Sequence, residues 1–326
     1  MTAGEAPRFP GNVDCSPVAP WEARMHRAHE VAEGVFFLRT LIVNLFIVRE
    51  GSSWILVDAG LGGYAPTIRA AAADCLGGED PPSGVVLTHG HFDHVGSLPH
   101  LLEAWDVPVY AHKLERPYLT GRSSYPPPDP LAGGGAMTLL SRLFPRGPID
   151  IGQHLQALEE GQPVPGAPSW RWIHTPGHTP GHVSLFRERD RVLIAGDAVT
   201  TVRQESALAV ALQRRELHGP PAYYTQNWRA AAESVGRLAA LEPEHLLAGH
   251  GEPLQGAEAR DGLRRLGARF QREEIPAFGR YVAQPAVANE HGVVRLPPDP
   301  LPRILAGAAA AAAATWVLAA QARRRT

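Results

Sequence analysis

The chain has 326 residues, with Lys+Arg 31 against Asp+Glu 33, a formal net charge of -2 and a pI near 6.7. So even a balance gives no basic field for holding a phosphate backbone, which argues against nucleic acid as a partner. The length suits one large domain plus appendages. The two cysteines, Cys15 and Cys75, lie far from any CxxC pattern, so a disulfide framework is not indicated and a reducing, cytoplasmic setting is expected.

Residues 1–30 are rich in Pro, Gly and charge and read as a loosely ordered lead-in without a secretory signal pattern. The main domain is expected over residues 31–254. Val35 to Arg39, Leu41 to Arg49 and Trp54 to Asp58 are short β-branched or aromatic runs, with the turn-like Glu50-Gly-Ser-Ser53 between the second and third. They predict consecutive antiparallel strands. An alanine-rich helix follows near Pro66 to Leu76, then a strand at Val85 to Thr88, a helix beginning near His94 and a strand at Val107 to Ala111. Strands alternating with helices predict an α/β core layered with helices.

Residues 113–168 break this rhythm with Tyr125-Pro-Pro-Pro-Asp-Pro130, Gly133-Gly-Gly135 and a second Pro/Gly cluster. They read as a long loop insertion, either a lid over a site or a passive surface segment. Regular structure is expected again in strands at Trp170 to His174, Val183 to Arg187 and Val192 to Ala195, a helix over Trp228 to Ala240 and a strand at His245 to Ala248. Residues 255–326 are expected to form a helical extension with an alanine-rich tail. Its uncharged run, Ile304 to Ala320, is shorter than the roughly 20 residues a membrane helix needs, and alanine is weakly apolar. An alanine helix on or near the domain is therefore expected, with a membrane anchor as the alternative.

The chemistry concentrates at strand ends. Val85-Val-Leu-Thr88 runs into His89-Gly-His-Phe-Asp-His94, four ligand-type residues in six positions, where the chain leaves a sheet. Ligands of α/β proteins gather at such carboxyl ends, and Gly90 is expected to let the backbone turn tightly. Imidazole and carboxylate donors together suit zinc, while manganese and iron accept the same set. Side chains so close in sequence splay apart and cannot wrap one tetrahedral ion, so two ions or distant ligands are implied. Distant candidates end other strands: His178 and His182 in TPGHTPGH, Asp197 in AGDAV and His250 in AGHGEP.

With these motifs in this order, from about Val31 to Leu254, the sequence resembles the metallo-β-lactamase-fold hydrolase superfamily, whose signature HxHxDH matches His89, His91, Asp93 and His94. The resemblance implies a four-layer αββα sandwich with metals at one edge. It also implies one ion on His89, His91 and His178 and a second on Asp93, His94 and His250, with Asp197 bridging; two zinc ions are expected. Asp58 matches the family's early, structural aspartate, and His182 its usually non-ligating histidine. Asp93 could orient a metal-bound hydroxide or move a proton. Tyr223 is a candidate donor to the oxyanion, as tyrosines are in some lactonases of the superfamily, with simple packing of it and Tyr224 as the alternative. His112, His154, His174 and His218 match no motif and are read as ordinary.

Departures from particular families narrow the expectation. His91 stands where flavodiiron members carry glutamate, Asp197 is generally missing from class B β-lactamases, and ribonuclease Z-like members would want a basic surface. The remaining expectation is a dinuclear hydrolase of a small-molecule ester, lactone or thioester. The long insertion, which could cover an apolar acyl chain, leans toward esters and lactones. Arg260, Arg264, Arg265 and Arg269 at helical spacing fit either a glyoxalase II-like glutathione thioesterase or a solvated helix face. A mononuclear iron persulfide dioxygenase and a membrane-tethered binding protein are the further alternatives.

Overall fold

The computed structural model describes residues 27–323, so most of the lead-in, with Cys15, and the last arginines of the tail lie outside the described residues. The first sheet contains β1 (His29–Ala32), β2 (Val35–Thr40), β3 (Val43–Glu50), β4 (Ser53–Val57), β5 (Val85–Val86), β6 (Val109–Ala111) and β7 (Leu155–Ala157), hydrogen-bonded in that order. β1 to β4 are antiparallel; β4 to β7 are parallel. β3 starts two residues later than its sequence suggests, because exposed Leu41 sits at φ 62° in the turn after β2.

The second sheet takes β8 (Pro163–Val164), β9 (Ala167–His174), β10 (Val183–Arg187) and β11 (Val192–Gly196). A two-stranded ribbon, β12 (Thr200–Val202) with β13 (Arg215–His218), intervenes before β14 (His245–Ala248) and β15 (Leu254–Gln255) complete the sheet in the order β15-β14-β11-β10-β9-β8. A hairpin of β16 (Val287–Asn289) and β17 (Gly292–Arg295) follows.

The helices are α1 (Ala65–Leu76), α2 (Phe92–Val95), α3 (Leu98–Trp105), α4 (Arg116–Leu119), α5 (Ala136–Leu140), α6 (Ala207–Leu212), α7 (Trp228–Ala239), α8 (Gly256–Glu273) and α9 (Leu301–Arg323). The single helix expected from His94 is two, broken at Gly96-Ser97 and restarted with Pro99 in the first turn of α3, where a missing N–H costs nothing. At α7 the Asn227 side chain accepts the Ala230 N–H at 3.1 Å, a helix cap.

Side-chain alternation along the strands builds three apolar layers, since successive residues point to opposite faces. Phe46, Val48, Ile55 and Val57 meet Val183, Leu185, Val192 and Ile194 between the sheets. Their neighbours Leu45, Ile47, Trp54 and Leu56 face Ile68 of α1 and Leu98 and Leu101 of α3. On the far side, Phe186, Leu193 and Leu246 face Trp228 and Val235 of α7 and Leu263, Leu266 and Phe270 of α8. This is the αββα sandwich; each such side chain, fully buried, contributes about 1.5–3 kcal/mol.

Two segments read differently in three dimensions. Residues 113–168 are not a plain loop: they hold a 3-10 turn at Lys113–Glu115, α4, α5, β7 and β8, and Tyr118 stacks on Tyr125 with ring centroids 3.9 Å apart. Among the described residues, no helix is long and apolar enough to cross a membrane.

Candidate metal centre

The turns after β5, β9, β11 and β14 converge on one rim. His89, His91 and His178 each place a donor atom there within 4.8 Å of the others, as do Asp93, His94 and His250, and also His89, His94 and Asp197. All seven side chains are buried. The Asp197 carboxylate faces both trios. Its Oδ2 lies 3.5 Å from His178 Nε2 and 3.2 Å from His250 Nε2, and its Oδ1 lies 3.5 Å from His94 Nε2. Asp93 Oδ2 lies 3.5 Å from His250 Nε2.

Neighbouring groups decide which ring nitrogens face the rim. Asp58, on a turn at φ 61°, accepts the Thr88 N–H and the Thr88 hydroxyl, each at 2.7 Å, and Nδ1 of His94 at 2.8 Å. His94 Nε2 is thereby turned toward Asp197. With its proton given to Asp58, the Thr88 oxygen accepts from His89 Nδ1 at 3.1 Å, leaving the His89 Nε2 lone pair inward. His250 Nδ1 donates to the Ile42 carbonyl at 2.8 Å, with the same result. Bonds from the outer nitrogen fix the tautomer of metal-binding histidines in this way.

The donor set fits divalent cations. His91 Nδ1 sits 3.0 Å from His89 Nε2 and 2.9 Å from His178 Nε2, three nitrogens gathered at one point. His94 Nε2 and Asp197 Oδ1 are buried without a hydrogen-bond partner among the described residues, an arrangement that is costly unless a cation is shared. Burial and neighbouring imidazoles hold His89 and His91 well below the usual histidine range, and burial lowers His178 to about 4. These rings are neutral, as ligands must be. Burial opposes charge on Asp197 too, but His250 and His94 outweigh it and hold the carboxyl well below its ordinary value.

His182 belongs to none of the donor groups. Its Nε2 accepts the Asp197 N–H at 2.9 Å while Nδ1 meets the Thr175 hydroxyl at 2.8 Å, so it anchors the turn that presents Asp197. Tyr223 is buried with its ring 6.3 Å from Phe144, which in turn packs 5.8 Å from Phe92. Burial first and the Asp93 carboxylate second push its phenol well above the usual range, so it is a neutral donor. The adjacent Tyr224 packs its ring 4.6 Å from that of His91. His112 stacks on His174 at 4.1 Å, His218 lies between Glu216 and Glu274, and His154 faces Asp106; none joins a donor group.

Gly90 has a different reason from the one expected. Its backbone is not left-handed; instead a Cβ would stand 2.7 Å from Tyr125 Oη and 2.9 Å from Leu119 Cδ2. Close approach, not a turn, requires glycine there. The residues responsible, Tyr125 and Leu119, lie in the segment read as a loop.

The family described as the metallo-beta-lactamase superfamily matches residues 38–250. The chain is 49% identical over 244 residues, 74% of its length and 92% of the relative's, to the probable metallo-hydrolase YflN of Bacillus subtilis. It is similar in fold to a beta-lactamase domain protein from Burkholderia ambifaria, with a TM-score of 0.54, 23% identity and 78% and 79% of the two chains covered. It is also similar to the metallo-beta-lactamase family protein TTHA1429 from Thermus thermophilus, with a TM-score of 0.51, 22% identity and 74% and 81% covered.

Proposed function

The chain belongs to the metallo-β-lactamase superfamily and is a metallo-hydrolase of that kind, and from this we propose that it is a dinuclear zinc enzyme hydrolysing a small-molecule carboxylic ester, lactone or thioester. The observation that carries the reading is the Asp197 carboxylate, whose Oδ2 lies between His178 of one trio and His250 of the other while its Oδ1 faces His94. His89, His91 and His178 would hold one ion, Asp93, His94 and His250 the other, with Asp197 shared. Bound there, two divalent cations would bring a water's pKa toward neutrality and polarise an acyl carbonyl.

The chain's own groups supply the rest. In this reading Asp93, beside His250 at the rim, orients the attacking water and passes a proton to the leaving group. The neutral Tyr223 phenol, close enough to Asp93 to be pushed upward by it, donates to the developing oxyanion. Phe92, Phe144 and Tyr223 form an aromatic cluster next to Asp93.

An apolar acyl group is supported by segments whose burial is inverted. α5 and the turn after it bury Thr138 and Ser141 while Leu139 and Leu143 are 70% and 80% exposed. α6, which follows Glu205, the residue hydrogen-bonded to α5 through Met137 N–H, leaves Leu208 and Leu212 each 70% exposed. The near-neutral charge favours a small molecule over nucleic acid as substrate, and the low cysteine content, with Cys75 unbridged among the described residues, favours the cytoplasm. The test is metal analysis of the purified chain with a screen of lactones, thioesters, phosphodiesters and β-lactams. Two zinc per chain with lactone, ester or thioester hydrolysis is expected; one iron with persulfide oxidised to sulfite would overturn the reading.

A further inference from the structure

Glu115 is completely buried, yet among the described residues no Lys, Arg or His pairs with it. What it has instead is four donors. Oε1 accepts the Gly181 N–H and the Thr179 hydroxyl, each at 2.8 Å, and Oε2 accepts the Gly90 N–H at 3.1 Å and the Tyr125 hydroxyl. Without such bonds a carboxylate in this position would be strongly disfavoured. The two glycines are shaped to it: a Cβ on Gly181 would stand 2.8 Å from Glu115 Cγ, and Gly90 is crowded by Tyr125.

Gly90 lies between His89 and His91, and Thr179 follows His178. One carboxylate therefore ties together both loops that deliver the first donor trio. The second trio has other supports: His94 rests on Asp58 and His250 on the Ile42 carbonyl. We infer that Glu115 is a positioning residue for the His89–His91–His178 site and not for the Asp93–His94–His250 site. The inference rests on the dinuclear reading above.

The conservative change Glu115→Gln keeps size and shape but cannot serve four donors. With its amide toward Gly181 and Thr179, the Thr179 hydroxyl can rotate to accept while the Gly181 N–H is left buried without an acceptor; with the amide toward Gly90 and Tyr125, the Gly90 N–H keeps only the Tyr125 hydroxyl, 2.9 Å away, and in either orientation the charge that strengthened all four bonds is gone. Zinc affinity, measured by chelator competition, separates the sites in two backgrounds. In His250→Ala chain, which keeps the first trio, Glu115→Gln is expected to weaken zinc binding about 10–100-fold, the usual effect of losing an outer partner of a ligand. In His178→Ala chain, which keeps the second trio, the loss is expected to stay within about threefold.

The visible spectrum of cobalt-loaded His250→Ala chain should change with Glu115→Gln, because ligand geometry changes, and circular dichroism checks that the variants fold. Tyr125→Phe removes one donor to Glu115 and one of the two acceptors of the Gly90 N–H, leaves the Gly181 and Thr179 bonds in place, and should shift the first site in the same direction by less; it carries the comparison if Glu115→Gln does not fold. Equal losses in both backgrounds, or none in either, overturn the inference. If the unmodified chain holds one ion only, the dinuclear reading fails, and the clamp stands or falls by whether Glu115→Gln weakens that ion at least tenfold.

Discussion

Asp58 accepts a hydrogen bond from Nδ1 of His94 at 2.8 Å, and the same carboxylate reaches His89 through the Thr88 hydroxyl. One side chain thus sets the inward-facing nitrogen of a histidine in each trio. Asp58→Asn offers an amide where a carboxylate oxygen took two donors. Zinc affinity should fall about 10–100-fold, read by competition with a chromophoric chelator, with the circular dichroism spectrum unchanged. Unaltered affinity would mean that the bond has no part in holding the ligands.

Tyr223 and Tyr224 are adjacent, but different things are expected of them. Tyr223→Phe removes the proposed donor to the oxyanion, and kcat on an activated ester should drop about 100-fold with little change in KM. Tyr224→Phe keeps the ring that packs on His91 and should leave kcat within about threefold. The reverse order of effects would exchange the two roles.

The exposed leucines make a prediction about substrate length. Across p-nitrophenyl acetate, butyrate and octanoate, kcat/KM should climb with the acyl chain, by at most about fourfold per methylene. Leu139→Ser with Leu143→Ser should flatten that climb while leaving the acetate rate intact. A flat series in the unmodified chain would show that these leucines do not receive the acyl group.

His112 provides a pH test away from the metal ligands. Burial lowers its imidazole to about 3, with the stacked His174 and nearby Lys113 acting in the same direction. The unfolded chain binds this proton near pH 6.5 and the folded chain does not until about 3. The contribution to stability is therefore complete above about pH 6.5 and is lost as the pH falls toward 3. Because Nδ1 of His112 also accepts the Leu114 N–H, His112→Asn retains an acceptor while removing the titration. Its melting temperature should decline less than that of the unmodified chain between pH 7 and 4; parallel decline would show that His112 contributes nothing to the acid sensitivity.

Sequence pattern located what had a period or a motif. β2, β3 and β4 announce themselves because one residue in two meets a different apolar layer, and the donors stand out because each of the four groups of them follows a strand end punctuated by glycine. Glu115 and Tyr125 had neither advantage. A carboxylate in a 3-10 turn reads as surface charge, and a tyrosine ahead of three prolines reads as loop; only the folded chain shows both buried against Gly90. The last motif ends near residue 254, which puts α8 beyond the catalytic domain in sequence, yet its Leu263, Leu266 and Phe270 complete the outer layer over the second sheet.

The donors are divided between the sheets, four following β5 of the first and three following β9, β11 and β14 of the second. Synthesis therefore separates them in time. His94 leaves the ribosome more than 150 residues ahead of His250, an interval on the order of ten seconds at cellular elongation rates. The first sheet has its own apolar layer with α1 and α3 and can form during that wait. Ion capture is thus a late event in the life of the chain, closing two halves made at different moments.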